Sequence, residues 1–179
     1  LMSASLFGLI LTLTSFDLEV LPAHFSSRLP RRDIGIYSIV AGVVLLSIWP
    51  GLSIIPALVE GKAPLEVWSY TTVVTYAIDM GIIAPALIAA GVLLLRSNPV
   101  GFGYLLSSTL LVFTVILGVN LLTAGTMQML AGLINIGQFI GFVASFSILT
   151  LYAFWFTLAL FRNVSERISS QDAHLLDVV

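Results

Sequence analysis

Asp79 is a carboxylate set within a run, 71–95, dominated by Ile, Leu, Val and Ala. Thr72, Thr75 and Tyr76 precede it at spacings that place all four side chains on one face of a helix. A protonatable group at the foot of a polar stripe is suited to moving a proton, a cation or a small solute along that face. The same residues are equally suited to a static role, in which the carboxyl group hydrogen-bonds a neighbouring helix and nothing passes. An aspartate near the middle of a membrane helix costs about 2.5–3.5 kcal/mol, and apolar residues at about −0.3 to −0.6 kcal/mol each offset it. The helix therefore inserts, but the carboxylate needs a partner or a proton. Asn120, late in the run 102–122, is the other intramembrane polar candidate. At about 1.5 Å per residue it should differ from Asp79 in depth by roughly 10 Å, so direct contact would require a tilted helix.

Other chemistry is thinly represented. The chain has no cysteine, and His24 and His174 both fall outside the apolar runs, so haem held between helices is not expected. No HExxH, GxSxG, P-loop or GxGxxG pattern occurs. We therefore expect no catalytic residue, no metal site, no cofactor and no enzymatic activity. Seven basic against nine acidic residues, for a net charge of −2, exclude a polybasic surface, and nucleic acid is not an expected partner.

The elements that must position Asp79 are membrane helices. Of 179 residues, 59% are hydrophobic and 9% charged, and the mean hydropathy is +1.10; soluble domains carry far more charge, so lipid is the expected solvent. The expected fold is an all-α integral membrane bundle of four complete transmembrane helices, 34–58, 71–95, 102–122 and 137–161, plus a truncated first one at 1–16. That first run is shorter than the roughly 20 residues needed to cross the bilayer and is read as the end of a span. Pro50 and Pro56 should kink or unwind the final third of 34–58. A charge-free connection, 123–135, is expected between the last two spans. In the first loop, Leu18, Leu21, Phe25 and Leu29 recur at near-helical spacing, which fits a segment lying in the interface as well as a solvated loop. The tail, 163–179, is expected to be amphipathic, with Val164, Ile168, Leu175 and Val179 on one stripe, lying against its own loops or on a partner subunit.

Alternating spans place Arg28, Arg31, Arg32, Arg96, Arg162 and Arg167 on one side and Lys62 alone on the other. The positive-inside rule makes the arginine side, with the C-terminus, cytoplasmic. Small residues form ridges along two spans, Gly137, Gly141 and Ser145 in the last and Ala77 with Gly81, and Ala86 with Ala90, in the third. Such ridges let helix backbones approach closely, within this chain or against another.

The stretch from Tyr76 through Asp79 to Pro85, followed by Gly91 to Arg96, Pro99, Gly101 and Tyr104, resembles uncharacterised bacterial multi-pass membrane proteins. The segments Leu6–Leu9 and Phe16–Asp17, and the Trp49-containing span, look similar too. The resemblance implies a bacterial plasma-membrane setting and longer relatives with further spans upstream; it brings no activity or ligand with it. Two functions are thus expected. One is a non-catalytic subunit or scaffold packed against other membrane helices or subunits. The alternative is a small channel or carrier for protons, cations or a small solute, using Asp79 and its polar face. What Asp79 faces separates them.

Overall fold

A computed structural model describes residues 7–8, 11–12, 14–62, 74–97 and 100–164. These residues are helical throughout, apart from connections and one isolated bridge between Phe25 and Val164. The elements in chain order are α1 (Arg31–Trp49), α2 (Ile55–Glu60), α3 (Val74–Ile78), α4 (Ala84–Leu95), α5 (Gly101–Leu130), α6 (Ile136–Gln138) and α7 (Ser145–Arg162). Wider π-helical segments, Pro50–Ile54, Asp79–Ile83 and Phe139–Ala144, join α1 to α2, α3 to α4 and α6 to α7 without breaking the rods. Among the described residues, the result is four antiparallel rods.

Among the described residues three helices are long and apolar enough to cross a membrane: Arg31–Trp49, Tyr76–Leu95 and Gly101–Leu130. Against the expected four complete spans, the apolar stretch Phe146–Arg162 of the last rod is shorter than that length. Most of the expected first span, 1–16, lies outside the described residues, as does the tail beyond Val164. Large apolar side chains cover the outside of the rods: Ile82 is 62% exposed, Leu151 68% and Trp155 61%. A surface of this kind requires lipid around it, and the protein is an integral membrane protein.

One boundary differs from expectation. The run placed at 102–122 is a 30-residue helix, and the connection 123–135 is mostly its continuation. Nothing within 123–130 breaks a helix; Gly125 is accommodated against Val143 of the last rod. The stop comes at Gly132, whose φ of 71° lets Leu133 N–H donate to Gln128 O at 2.9 Å and Gly132 N–H to Met129 O at 3.0 Å, a left-handed cap. At about 1.5 Å per residue the helix spans roughly 45 Å, more than the roughly 30 Å of hydrocarbon, so it is tilted or projects. The expected unwinding near Pro50 and Pro56 takes the form of a widened turn at Pro50–Ile54, after which the helix continues to Glu60.

The closest pairing is α1 with α4. A methyl group on Gly91 would stand 2.5 Å from Gly35 O, and one on Gly42 would stand 2.8 Å from Ala84 O. Gly35, Ser38, Ala41 and Gly42 form a small-residue seam on α1, facing Ala84, Leu87, Ala90, Gly91 and Leu94 on α4, all buried. On the opposite side α5 meets α7, where Gly118 abuts the Thr150 side chain. Tyr37 of α1 donates its hydroxyl to Leu149 O of α7 at 2.9 Å and so links the two pairs.

The first loop is seated on the bundle, which resolves it in favour of packing. Leu29 is buried with Ile34, Leu94, Tyr104, Phe156 and Leu160, and Leu21 and Phe25 pack against that cluster. The Phe25 and Tyr104 rings stack at 4.5 Å. Ser26 N–H donates to Asn163 O at 2.8 Å, and Gly101 leaves room for the Leu18 backbone.

Of the small-residue ridges named from sequence, Ala86 and Ala90 lie on the packed side of α4, with Ala90 inside the seam, whereas Ala77 and Gly81 lie outside it. Ala77 is exposed, a methyl group on Gly81 would meet nothing within 4 Å, and one on Gly137 would meet only Asn135 at 3.2 Å. The side-chain surroundings of Gly141 and Ser145 lie outside the described set. The physical reason is the π segment Asp79–Ile83: in an unbroken α-helix residues 77 and 81 would share the face of Ala84 and Gly91, and the widened turn rotates them away from it. Gly91→Val should therefore lower stability by about 1–3 kcal/mol through overpacking, read as a lower Tm in detergent micelles. Gly81→Ala should stay within about 0.5 kcal/mol of the parent, the usual range for surface changes.

Candidate functional site

The neighbourhood of Asp79 lies where two rods, each widened by a π segment, come together, with the end of α1 against the segment Asp79–Ile83. A proline lacks an N–H and its ring presses on the carbonyl four residues back. Pro56 and Pro85 stand two residues beyond the π segments, and the carbonyls they would strike are those of Leu52 and Gly81, both inside them. Widening to the five-residue spacing relieves the clash: Ile55 N–H donates to Pro50 O, and Ala84 N–H donates to Asp79 O. Both distortions thus follow from sequence, and the antiparallel arrangement of the rods brings them to the same end of the bundle.

There Asp79 meets the preceding rod. The Trp49 indole N–H donates to Asp79 Oδ2 at 2.9 Å. Nearby, the buried Tyr76 hydroxyl lies 3.0 Å from Ser53 Oγ, itself 5% exposed. The indole and phenol rings stack at 4.3 Å with 22° between their planes. Three interactions in one patch fasten the end of α1 and its π segment to α3 and the π segment that follows it. A hydrogen bond to a carboxylate is roughly twice as strong as a neutral one, and aromatic stacking adds about 0.5–1.5 kcal/mol. Asp79 is half-buried.

Of the residues singled out from sequence, the structure joins Asp79 and Tyr76 in this patch. Thr75 is helical in its backbone, and Thr72 lies outside the described residues, so the stripe is traced only from Tyr76 inward. Asn120 is not part of the patch: it is exposed on α5 and donates to Ile116 O of its own helix at 2.8 Å. An amide in an apolar helix finds its nearest acceptor one turn back. Sequence reasoning named Trp49 only within the resemblance and missed Ser53. A usable signal was present, because indole is a donor with no acceptor capacity. Trp49 and Asp79 also lie at comparable chain distances from the loop that joins their spans.

A cleft of about 50 Å³ lies deeper, between α1, α4, α5 and α7, lined mainly by Tyr37, Leu45, Leu87, Phe113, Leu117 and Phe146. Asp79 does not line it. Its threonines, Thr114 and Thr150, bond back to carbonyls of their own helices at 2.7 and 2.9 Å, so neither hydroxyl needs a solute to satisfy it. Among the described residues no three His, Cys, Asp or Glu side chains stand together as a metal site would need.

No known protein family, curated protein or solved structure matches the chain. The site must be read from its own geometry, which is that of a bracket between two helices. Asp79→Asn retains an acceptor for the indole and should change stability by less than about 1 kcal/mol. Asp79→Leu leaves a desolvated donor and should cost about 1–3 kcal/mol. Thermal unfolding with tryptophan emission as the probe reports both, since the Trp49 environment changes only in the second.

Proposed function

We propose that this chain is a non-catalytic integral membrane subunit or scaffold, whose outer helix faces pack against other membrane helices. The observation that carries the reading is the Trp49–Asp79 hydrogen bond: the costly carboxylate is engaged by a neighbouring helix. Supporting it, Ala77 and Gly81 form a small-residue surface that the chain's described contacts leave uncovered. Small residues on a membrane helix are where a second helix approaches closely.

In the same proposal the last rod, residues 136–162, is a fourth crossing shortened in apolar length by its π segment. The arginine-rich end faces the cytoplasm together with the C-terminus, and the membrane is a bacterial plasma membrane, in keeping with the sequence resemblance. The carrier reading retains one specific support. Asp79 is only half-buried and opens a π-helical distortion, of a kind frequent at functional sites, at the end of the bundle that holds a second one.

Reconstitution separates the two. In liposomes loaded with a pH-sensitive dye or a radioactive monovalent cation, the parent protein and Asp79→Asn should give the same flux as empty vesicles. Flux in the parent that Asp79→Asn abolishes would replace the scaffold with a carrier. For the packing face, the cysteine-free chain permits single-cysteine crosslinking in native membranes. Gly81→Cys should form a defined crosslinked species, whereas Ser38→Cys, enclosed between α1 and α4, should form none.

A further inference from the structure

One end of the bundle concentrates guanidinium groups that nothing in the described chain neutralises. The tight approach of Gly35 to Leu95 brings the start of α1, with Arg31 and Arg32, beside the end of α4, with Arg96. The backbone bond from Ser26 to Asn163 brings Arg28 beside Arg162 at the end of α7. Arg28, Arg32, Arg96 and Arg162 are exposed and Arg31 is half-buried. Among the described residues no ion pair or side-chain hydrogen bond engages any of the five.

Carboxylates are present at that end but are not used as counterions. Asp17 Oδ1 accepts the backbone N–H of Glu19 at 3.0 Å and of Val20 at 3.4 Å, so it holds the loop. Glu19 and Asp33 are exposed. Arg31 and Arg32 also sit in the first turn of a 19-residue helix, the end whose dipole disfavours cations. Two of the five face an unfavourable helix dipole and two, Arg96 and Arg162, a favourable one, so the end as a whole presents five cations without ion-pair partners and draws external negative charge.

The rim around them is apolar. Phe161, next to Arg162, is 69% exposed; Val164 is 48% exposed, Val20 47% and Phe16 46%. These groups stand at the ends of helices that cross the bilayer, the level at which phosphate headgroups meet acyl chains. Arginine reaching from an apolar body to a polar layer is the side chain suited to that boundary, and its planar fork matches phosphate oxygens. A soluble acidic partner would leave the apolar rim in water. We propose that the arginine end is a cradle for anionic phospholipid headgroups, with Arg28 and Arg162 on one side and Arg32 and Arg96 on the other. The seated first loop holds the two sides together.

The test uses the full chain in nanodiscs of phosphatidylcholine containing an equal share of phosphatidylglycerol, followed by native mass spectrometry of the lipids retained on release. Phosphatidylglycerol should be enriched over phosphatidylcholine. The enrichment should fall about fivefold for each arginine replaced in Arg32→Gln and Arg96→Gln, the increment typical of a basic residue near an anionic surface. Lys62→Gln, at the opposite end, should leave it unchanged. The comparison of the two lipids on the parent protein needs no variant to fold. Equal retention of both lipids by the parent overturns the proposal, as does enrichment indifferent to the two arginine changes. Displacement of phosphatidylglycerol by a soluble poly-glutamate peptide at matched charge would assign the surface to an acidic protein instead, and also overturns it.

Discussion

The α1–α4 contact is the constraint on which the other features hang. Inside a bilayer the hydrophobic effect does not draw helices together, because lipid tails are as apolar as leucine side chains. Association then depends on how closely two backbones approach, and therefore on having almost nothing between them. Gly35, Gly42 and Gly91 provide that condition, with Ser38, Ala41, Ala84 and Ala90 extending it along both helices. The depth and rotation of α1 against α4 are set by this seam. The placement of Trp49 against Asp79 at one end, and of Arg32 near Arg96 at the other, are consequences of it.

The π segments are the second layer of that dependence. Each of the first two is caused locally by a proline two residues downstream, yet what it produces is a tertiary contact. The widened turns bring Ser53 to Tyr76 and Trp49 to Asp79, so a site that would be a liability in each helix alone becomes a bracket between two. The remaining polar side chains of the spans follow a simpler rule. Thr109, Thr114, Ser147 and Thr157 donate to the carbonyl one turn back and require nothing from neighbouring helices. Tyr37, which donates to Leu149 O of α7, departs from this rule, as does Ser107, buried on α5 with its hydroxyl unpartnered among the described residues.

The arginine end shows how loop and bundle cooperate. Leu21, Phe25 and Leu29 turn inward onto Tyr104 and Leu160, and this leaves the charged side chains of the same loop on the outside. Packing of the apolar stripe therefore decides the exposure of the basic groups. The sorting is the one an amphipathic interfacial segment performs against lipid, achieved here against the protein's own helices.

Much of the architecture was legible in the residues alone. Runs of apolar residues of about the length of a bilayer specify helices without reference to anything else, since an unpaired backbone group in hydrocarbon costs several kcal/mol. The prolines announce where the first two rods widen, whereas the stop of the longest helix at Gly132 was placed too early, near residue 122. The cost of Asp79 likewise singled it out, because its environment is set by neighbours in sequence. The rotation of each helix about its axis was not legible. In a water-soluble bundle an apolar stripe marks the inner face, but here every face is apolar, so periodicity carries no inward direction. That is why the ridge of Ala77 and Gly81 could be assigned from sequence neither to this chain's own packing nor to another's, while Gly35 and Gly42 do the internal packing. It is also why Asn120 was weighed as a partner for Asp79 when Trp49 holds that place. Sequence by itself determined that the chain is helical, where its rods lie and which carboxylate needs a partner. Tertiary structure alone decided which faces meet and which partner Asp79 has, because in lipid those choices rest on close steric fit between helices.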